Sequence, residues 1–147
     1  MSARKQKKLG ELLLDWGVIV EDNVAEALEH MKSDNVRFGE ALMALGLAEE
    51  EDITKALAVQ YNMEYIDPVA ITLDEVELDT ISEEMIKRHQ IIPLKKDKSD
   101  RLRVVLTDPF DLQTMDMLRF MLNEEPVSYL APKGKVRSFI SEYIDTS

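Results

Sequence analysis

Over its first 60 residues the chain places apolar side chains three and four apart, and after Tyr61 it turns to short apolar runs. Leu9, Leu12, Leu13 and Trp16 make one series, Gly17 interrupts it, and Val24, Ala27, Leu28 and Met31 make the next. Such spacing lines one face of an α-helix, and a glycine behind it suits the left-handed residue that ends a helix. The series returns as Phe38, Ala41, Leu42 and Leu45, then Gly46, then Ile53, Ala56, Leu57 and Gln60. The second helix of each pair opens on acid, Glu21-Asp22 and Glu50-Glu51-Asp52, which suits the positive end of a helix dipole. Residues 8 to about 62 therefore predict four short helices in two hairpins.

The two halves of that segment share one register. Lys8-Leu9-Gly10-x-x-Leu13-x-x-x-Gly17 is answered by Arg37-Phe38-Gly39-x-x-Leu42-x-x-x-Gly46, and each continues through an apolar pair four apart, Val24 with Leu28 and Ile53 with Leu57. Two 24-residue units, 8–31 and 37–60, thus flank a five-residue spacer and close on Met31 and Gln60. Self-similarity at a fixed period marks stacked units that bury together what neither could bury alone.

Past Tyr61, Asp67-Pro68 punctuates the chain and strand-like runs follow. Ser82 can cap a helix through Met85, Ile86 and Arg88; Ile91 to Leu94 reads as a strand, Lys95 to Asp100 as a polar turn, and Arg101 to Thr107 as a second strand ended by Asp108-Pro109. Asp111 can cap a helix striped by Leu112, Met115, Leu118 and Leu122, Val127 to Ala131 is a third strand, and Val136, Ile140 and Ile144 line a last helix. The expected fold class is α+β: a four-helix, double-hairpin repeat over 1–62, then a small α/β domain over 63–147 with a short sheet packed on helices.

Composition narrows the chemistry. With 45% hydrophobic residues the chain can build real cores, and no apolar run approaches the roughly 20 residues of a membrane span, so a cytoplasmic protein is the default expectation. There is no cysteine, which removes disulfides and thiolate chemistry. His30 and His89 stand in different segments without a ligand partner at short spacing, so no metal site is expected. A net charge of −11 argues against DNA or RNA as partner. Charge is nevertheless local: Arg4, Lys5, Lys7 and Lys8 crowd the start, Lys95 to Arg103 forms a second basic stretch, and an acidic run from Asp74 to Glu84 lies between them.

The doubled pattern of basic residue, Leu-Gly, Leu, Gly, two spaced apolar residues and Gln resembles the N-terminal domain of the MshE type of pilus and type II secretion assembly ATPases. The runs RHQIIPL, RLRVVLTDPFDLQTMDMLRFML and VSYLAPKGKVRSFISEYI look like the α/β half of the same region, so the resemblance covers roughly residues 8 to 144. No Walker A glycine loop is present, which leaves either a cut-out domain or a stand-alone relative, and no enzyme activity is expected. In that family the doubled motif implies binding of cyclic di-GMP, with no other cofactor. Carried over residue by residue, the implied ligand-binding positions are Lys8, Leu9, Gly10, Leu13, Gly17, Val24, Leu28 and Met31 in the first copy. In the second copy they are Arg37, Phe38, Gly39, Leu42, Gly46, Ile53, Leu57 and Gln60, and Asp108 is a further candidate from the α/β half.

The motif suits that chemistry, because an arginine fork can meet guanine O6 and N7, glycine admits close backbone approach, and leucines cover ring faces. The first copy departs at both polar ends, with Lys8 for arginine and Met31 for glutamine. A bidentate contact is worth about 1 to 3 kcal/mol and an ordinary hydrogen bond about 1, so a half-site built from that copy loses roughly 2 to 4 kcal/mol. The losses correspond to affinity on the order of 30-fold to 1000-fold.

Two functions remain open. One is a sensor in which cyclic di-GMP bridges the two repeats. The other is a docking domain without nucleotide, whose partners belong to the secretion or pilus machinery, an inner-membrane platform protein or an attached ATPase among them.

Overall fold

A computed structural model describes residues 8–144 of the chain, which divides into two compact units, Met1–Asn62 and Met63–Ser147. Of the basic start, Arg4, Lys5 and Lys7 lie outside the described residues.

The first unit holds α1 (Leu9–Asp15), α2 (Glu21–Asp34), α3 (Phe38–Ala44) and α4 (Glu50–Gln60). Gly17 and Gly46 follow α1 and α3 at φ +73° and +71°, a conformation that glycine reaches without a Cβ clash and that turns each chain into its second helix. The second helices start alike. Asn23 Oδ1 accepts from the Val20 amide at 2.9 Å and Asp52 Oδ2 accepts from the Glu49 amide at 3.2 Å, each satisfying an amide at the helix entrance.

The packing crosses between copies: α1 lies chiefly on α4, and α2 on α3. Leu13 and Leu42, the matching leucines of the two repeats, are fully buried in the shared core with Leu12, Ile19, Ala27, Ala41, Ile53 and Ala56. Each such leucine contributes about 1.5 to 3 kcal/mol of burial. Ala27 and Ala56 occupy matching inward positions, where a small side chain lets helices approach.

Three apolar positions expected on inward faces are instead open to solvent: Leu28 at 48%, Trp16 at 45% and Leu45 at 39% exposure. Trp16 and Leu45 are the residues at which α1 and α3 end, so the chain leaves the packed face there. Leu28 stands one step round the helix from buried Ala27 and falls at the rim of the contact.

The second unit carries β1 (Glu64–Tyr65), α5 (Glu83–His89), β2 (Ile92–Leu94), β3 (Arg103–Leu106), α6 (Leu112–Leu122), β4 (Val127–Leu130) and α7 (Lys133–Phe139), with α7 continuing as a π-helical stretch over Ile140–Ile144. The sheet order is β1-β4-β3-β2, with β1 and β3 parallel to β4 and β2 antiparallel to β3. Every residue of β2 is buried, and Val104, Val105 and Leu106 of β3 are too; with Ile86, Leu118, Val136 and Ile140 they form the core of the unit.

The caps fall as the sequence predicts. Ser82 Oγ accepts from the Met85 amide at 3.3 Å, and Asp111 Oδ1 accepts from the Thr114 amide at 3.1 Å. Two features go beyond the sequence reading: β1 is a two-residue edge strand, and short 3₁₀ turns at Pro68–Ala70 and Leu73–Glu75 lead into α5. In the second of these turns the Thr72 amide and hydroxyl both donate to Glu75, and those two hydrogen bonds hold its carboxyl below the ordinary value. The α6 stripe departs from expectation only at its first position. Leu112, the first helical residue after the cap, is 68% exposed, while Thr114 and Leu118 are buried.

Candidate functional site

The sixteen repeat residues named above all lie in the first unit, and their roles there separate cleanly. Lys8 and Arg37 are the residues that open α1 and α3, at φ −73°, ψ 158° and φ −72°, ψ 159°, and both are exposed. The Arg37 amide donates to Glu40 Oε1 at 3.1 Å, which fixes the entrance of α3.

Behind each basic residue comes an apolar one and then a glycine, and these interlock across the repeats. A Cβ at Gly10 would meet the Phe38 ring at 3.3 Å, and one at Gly39 would meet Ile53 Cγ2 at 2.8 Å and Leu9 Cδ2 at 3.5 Å. Leu9 of the first copy thus lies against Gly39 of the second, and Phe38 of the second against Gly10 of the first. These two glycines serve close packing; Gly17 and Gly46, with nothing within 4 Å of an added Cβ, serve the turn alone.

Leu13, Leu42 and Ile53 are buried, so in this structure they hold the unit together and present no surface to a ligand. Gly39 is buried as well. Besides Gly10, Gly17 and Gly46, the positions left at or near the surface are Lys8, Leu9, Val24, Leu28, Met31, Arg37, Phe38, Leu57 and Gln60. They are two basic residues, an amide, a thioether and a set of partly open apolar side chains, a lining suited to a flat, anionic ligand with apolar faces. Val59 at 57% and Tyr61 at 38% exposure flank Gln60 and were not foreseen, since helical spacing says nothing about apolar residues left outside the stripe.

Asp108 lies in the second unit. Its Oδ1 accepts from the Phe110 amide at 2.8 Å across Pro109, and its carbonyl accepts from the Asp111 amide at 3.3 Å, so it builds the turn ahead of α6. Among the described residues no group of three or more acidic or histidine side chains could hold a metal ion, and no helix is long and apolar enough to cross a membrane.

A tandem helical repeat joined to a mixed four-stranded sheet defines an N-terminal module of the pilus and secretion ATPase type. The sequence pattern of the MshEN domain matches residues 61–147, more than half of the chain, and the chain belongs to that family. It is 25% identical over 136 residues to the type IV pilus assembly ATPase PilB of Myxococcus xanthus (strain DK1622), covering 92% of this chain and 24% of PilB. The chain therefore spans about a quarter of that protein's length. Among solved structures, MshE with cdg, the short form of cyclic di-GMP, superposes with a TM-score of 0.74 at 26% identity, over 93% of this chain and 99% of that one. The N-terminal domain of XpsE, at 18% identity and a TM-score of 0.68 over 97% of this chain and 99% of that one, shares the fold.

Proposed function

We propose that this chain is a non-catalytic regulatory module that binds cyclic di-GMP across its two repeats, in the cytoplasm and in the setting of a type IV pilus or type II secretion ATPase. The observation that carries the reading is the repetition of the site itself. Two basic residues stand at equivalent backbone positions, with torsions equal to within a degree, each followed by an apolar residue and a glycine that interlock with the other copy. A ligand made of two like halves is what such a surface can use twice. The likeness to MshE with cdg supports the same reading.

Calorimetric titration with cyclic di-GMP tests it. Saturable 1:1 binding is expected, and Arg37→Ala is expected to weaken it roughly tenfold to a hundredfold through loss of one bidentate contact. Absence of heat from the wild-type chain at millimolar ligand would sink the proposal.

One observation favours a second role alongside it. On α6 of the second unit Phe120 is 88% exposed and Leu112 68%, two helical turns apart on one face, a surface that a protein of the secretion or pilus machinery could cover. A Phe120→Glu chain that keeps its ligand affinity and still co-purifies with a platform protein of the machinery would remove that role.

A further inference from the structure

The two repeats make one turn twice, and the second makes it without the apolar surface of the first. After α1 and α3 the amides of Gly17 and Gly46 donate to the carbonyls of Leu14 and Met43 at 3.1 and 3.0 Å, and those of Val18 and Leu47 to Leu13 and Leu42 at 3.0 and 2.9 Å. Both glycines sit in the left-handed region, at φ +73° and +71°. Trp16 and Val20 bracket this turn in the first copy, 45% and 62% exposed, whereas Leu45 and an exposed Glu49 hold the same places in the second. The turn therefore does not require a tryptophan and a valine there.

Val20 also stands against a local preference. It is the N-cap of α2, where Ser, Thr, Asp or Asn would offer an oxygen to the first free amides, and a valine side chain has none to offer. An exposed residue that breaks a local rule and gains little packing in return marks a surface with another use.

The charge around the pair has one sign. Asp15 precedes Trp16, Glu21 and Asp22 follow Val20, and all three are exposed. No lysine or arginine occurs from Leu9 to Met31. Lys8 and Lys32 stand at the far ends of α1 and α2, α3 holds no basic side chain beyond its cap Arg37, and Lys55 of α4 pairs with Glu51 at 3.2 Å. Two apolar anchors set between carboxylates are the complement of an amphipathic helix whose apolar stripe runs between lysines or arginines. Tryptophan is also among the residues that most often carry the energy of a protein interface.

We infer that the α1–α2 turn is a docking site for a basic amphipathic helix of a partner protein, with Trp16 and Val20 seated on its apolar stripe and Asp15, Glu21 and Asp22 facing its cations. Neither anchor is among the repeat residues assigned to the ligand, so the inference stands apart from the cyclic di-GMP reading.

The test titrates the full chain with a helical peptide of leucine and lysine, read by the anisotropy of a fluorescein label and, with unlabelled peptide, by the emission of Trp16, the one tryptophan of the chain. A Trp16→Leu, Val20→Glu chain is compared by anisotropy; it carries the residues with which the second copy makes the same turn, so circular dichroism and melting are expected to match the wild type. Val20→Ser is the second variant, since serine supplies the missing cap oxygen and keeps the reporter. Saturable binding with a blue shift of Trp16 emission is expected, weakened at least about tenfold in both variants. A helix of leucine and glutamate is expected not to bind. Peptide binding that both variants leave unchanged, emission that does not move, or equal binding of the glutamate helix overturns the inference. A blue shift given by phosphatidylglycerol vesicles and not by the peptide overturns it in favour of a membrane surface.

Discussion

At the scale of single residues, the motif's glycines do two different jobs that their spacing alone does not separate. Gly10 and Gly39 stand at equivalent places, yet the Cβ contacts waiting for them are 3.3 Å from a ring edge and 2.8 Å from a branched methyl. Gly39 lies against Ile53 of its own copy, whereas Val24, the matching residue of the first copy, has no atom within 4 Å of a Cβ at Gly10. Gly39→Ala is expected to cost about 1 to 3 kcal/mol by overpacking a buried contact. Gly10→Ala is expected near neutrality, since a better helix former recovers up to about 1 kcal/mol. Urea denaturation of the two variants distinguishes them, and equal midpoints would show that the crossing contacts are looser than described. The leucines divide in a similar way. Leu13 and Leu28 look interchangeable as motif members, but one is fully buried and the other 48% exposed, a distinction set by which neighbour covers each face.

At the scale of elements, helix positions were legible wherever apolar spacing, a glycine and a cap agreed. Ser82 and Asp111 announced α5 and α6 correctly because a short oxygen-bearing side chain ahead of an apolar run meets an amide three residues on. The strands followed from β-branched runs, with Ile92–Leu94, Arg103–Leu106 and Val127–Leu130 falling inside the segments expected. What the pattern could not carry was β1, whose two residues are too few for a period, and the outward turn of Leu112, which the helix geometry at the cap imposes. The α6 cap invites a direct check. Asp111 receives both the Thr114 amide and, at 2.6 Å, the Thr114 hydroxyl, and Thr114 is only 2% exposed. Asp111→Ala is expected to lower unfolding free energy by about 1 to 2 kcal/mol. A change below about 0.3 kcal/mol would mean that the buried hydroxyl finds another acceptor, His89 Nδ1 at 3.3 Å being the nearest at hand.

At the scale of the whole molecule, the division into Met1–Asn62 and Met63–Ser147 separates the repeat surface from the unit that the MshEN pattern matches. Ligand bound at the repeats stabilises the folded first unit by about 2.7 kcal/mol at a hundred times its dissociation constant. Hydrogen exchange is therefore expected to slow across α1 to α4 on adding cyclic dinucleotide, and protection confined to residues 63–144 would move the binding surface elsewhere. The site was half legible at this scale. Its residue types and doubling are plain in the sequence, but not that α1 packs on α4 and α2 on α3, because a hydrophobic period reports a face and never its partner.

The crossed packing of α1 on α4 and α2 on α3 bears on origins as well. Each copy leans on the other for much of its apolar face, α1 on α4 and α2 on α3, while Gly39 and Ile53 keep a contact within one copy. Two molecules of such a hairpin could satisfy one another only about a twofold axis, with the same patch on both sides. The present chain has the form of a symmetric dimer whose halves are joined by five residues, and copies joined in this way are free to differ, as Lys8 against Arg37 and Met31 against Gln60 do.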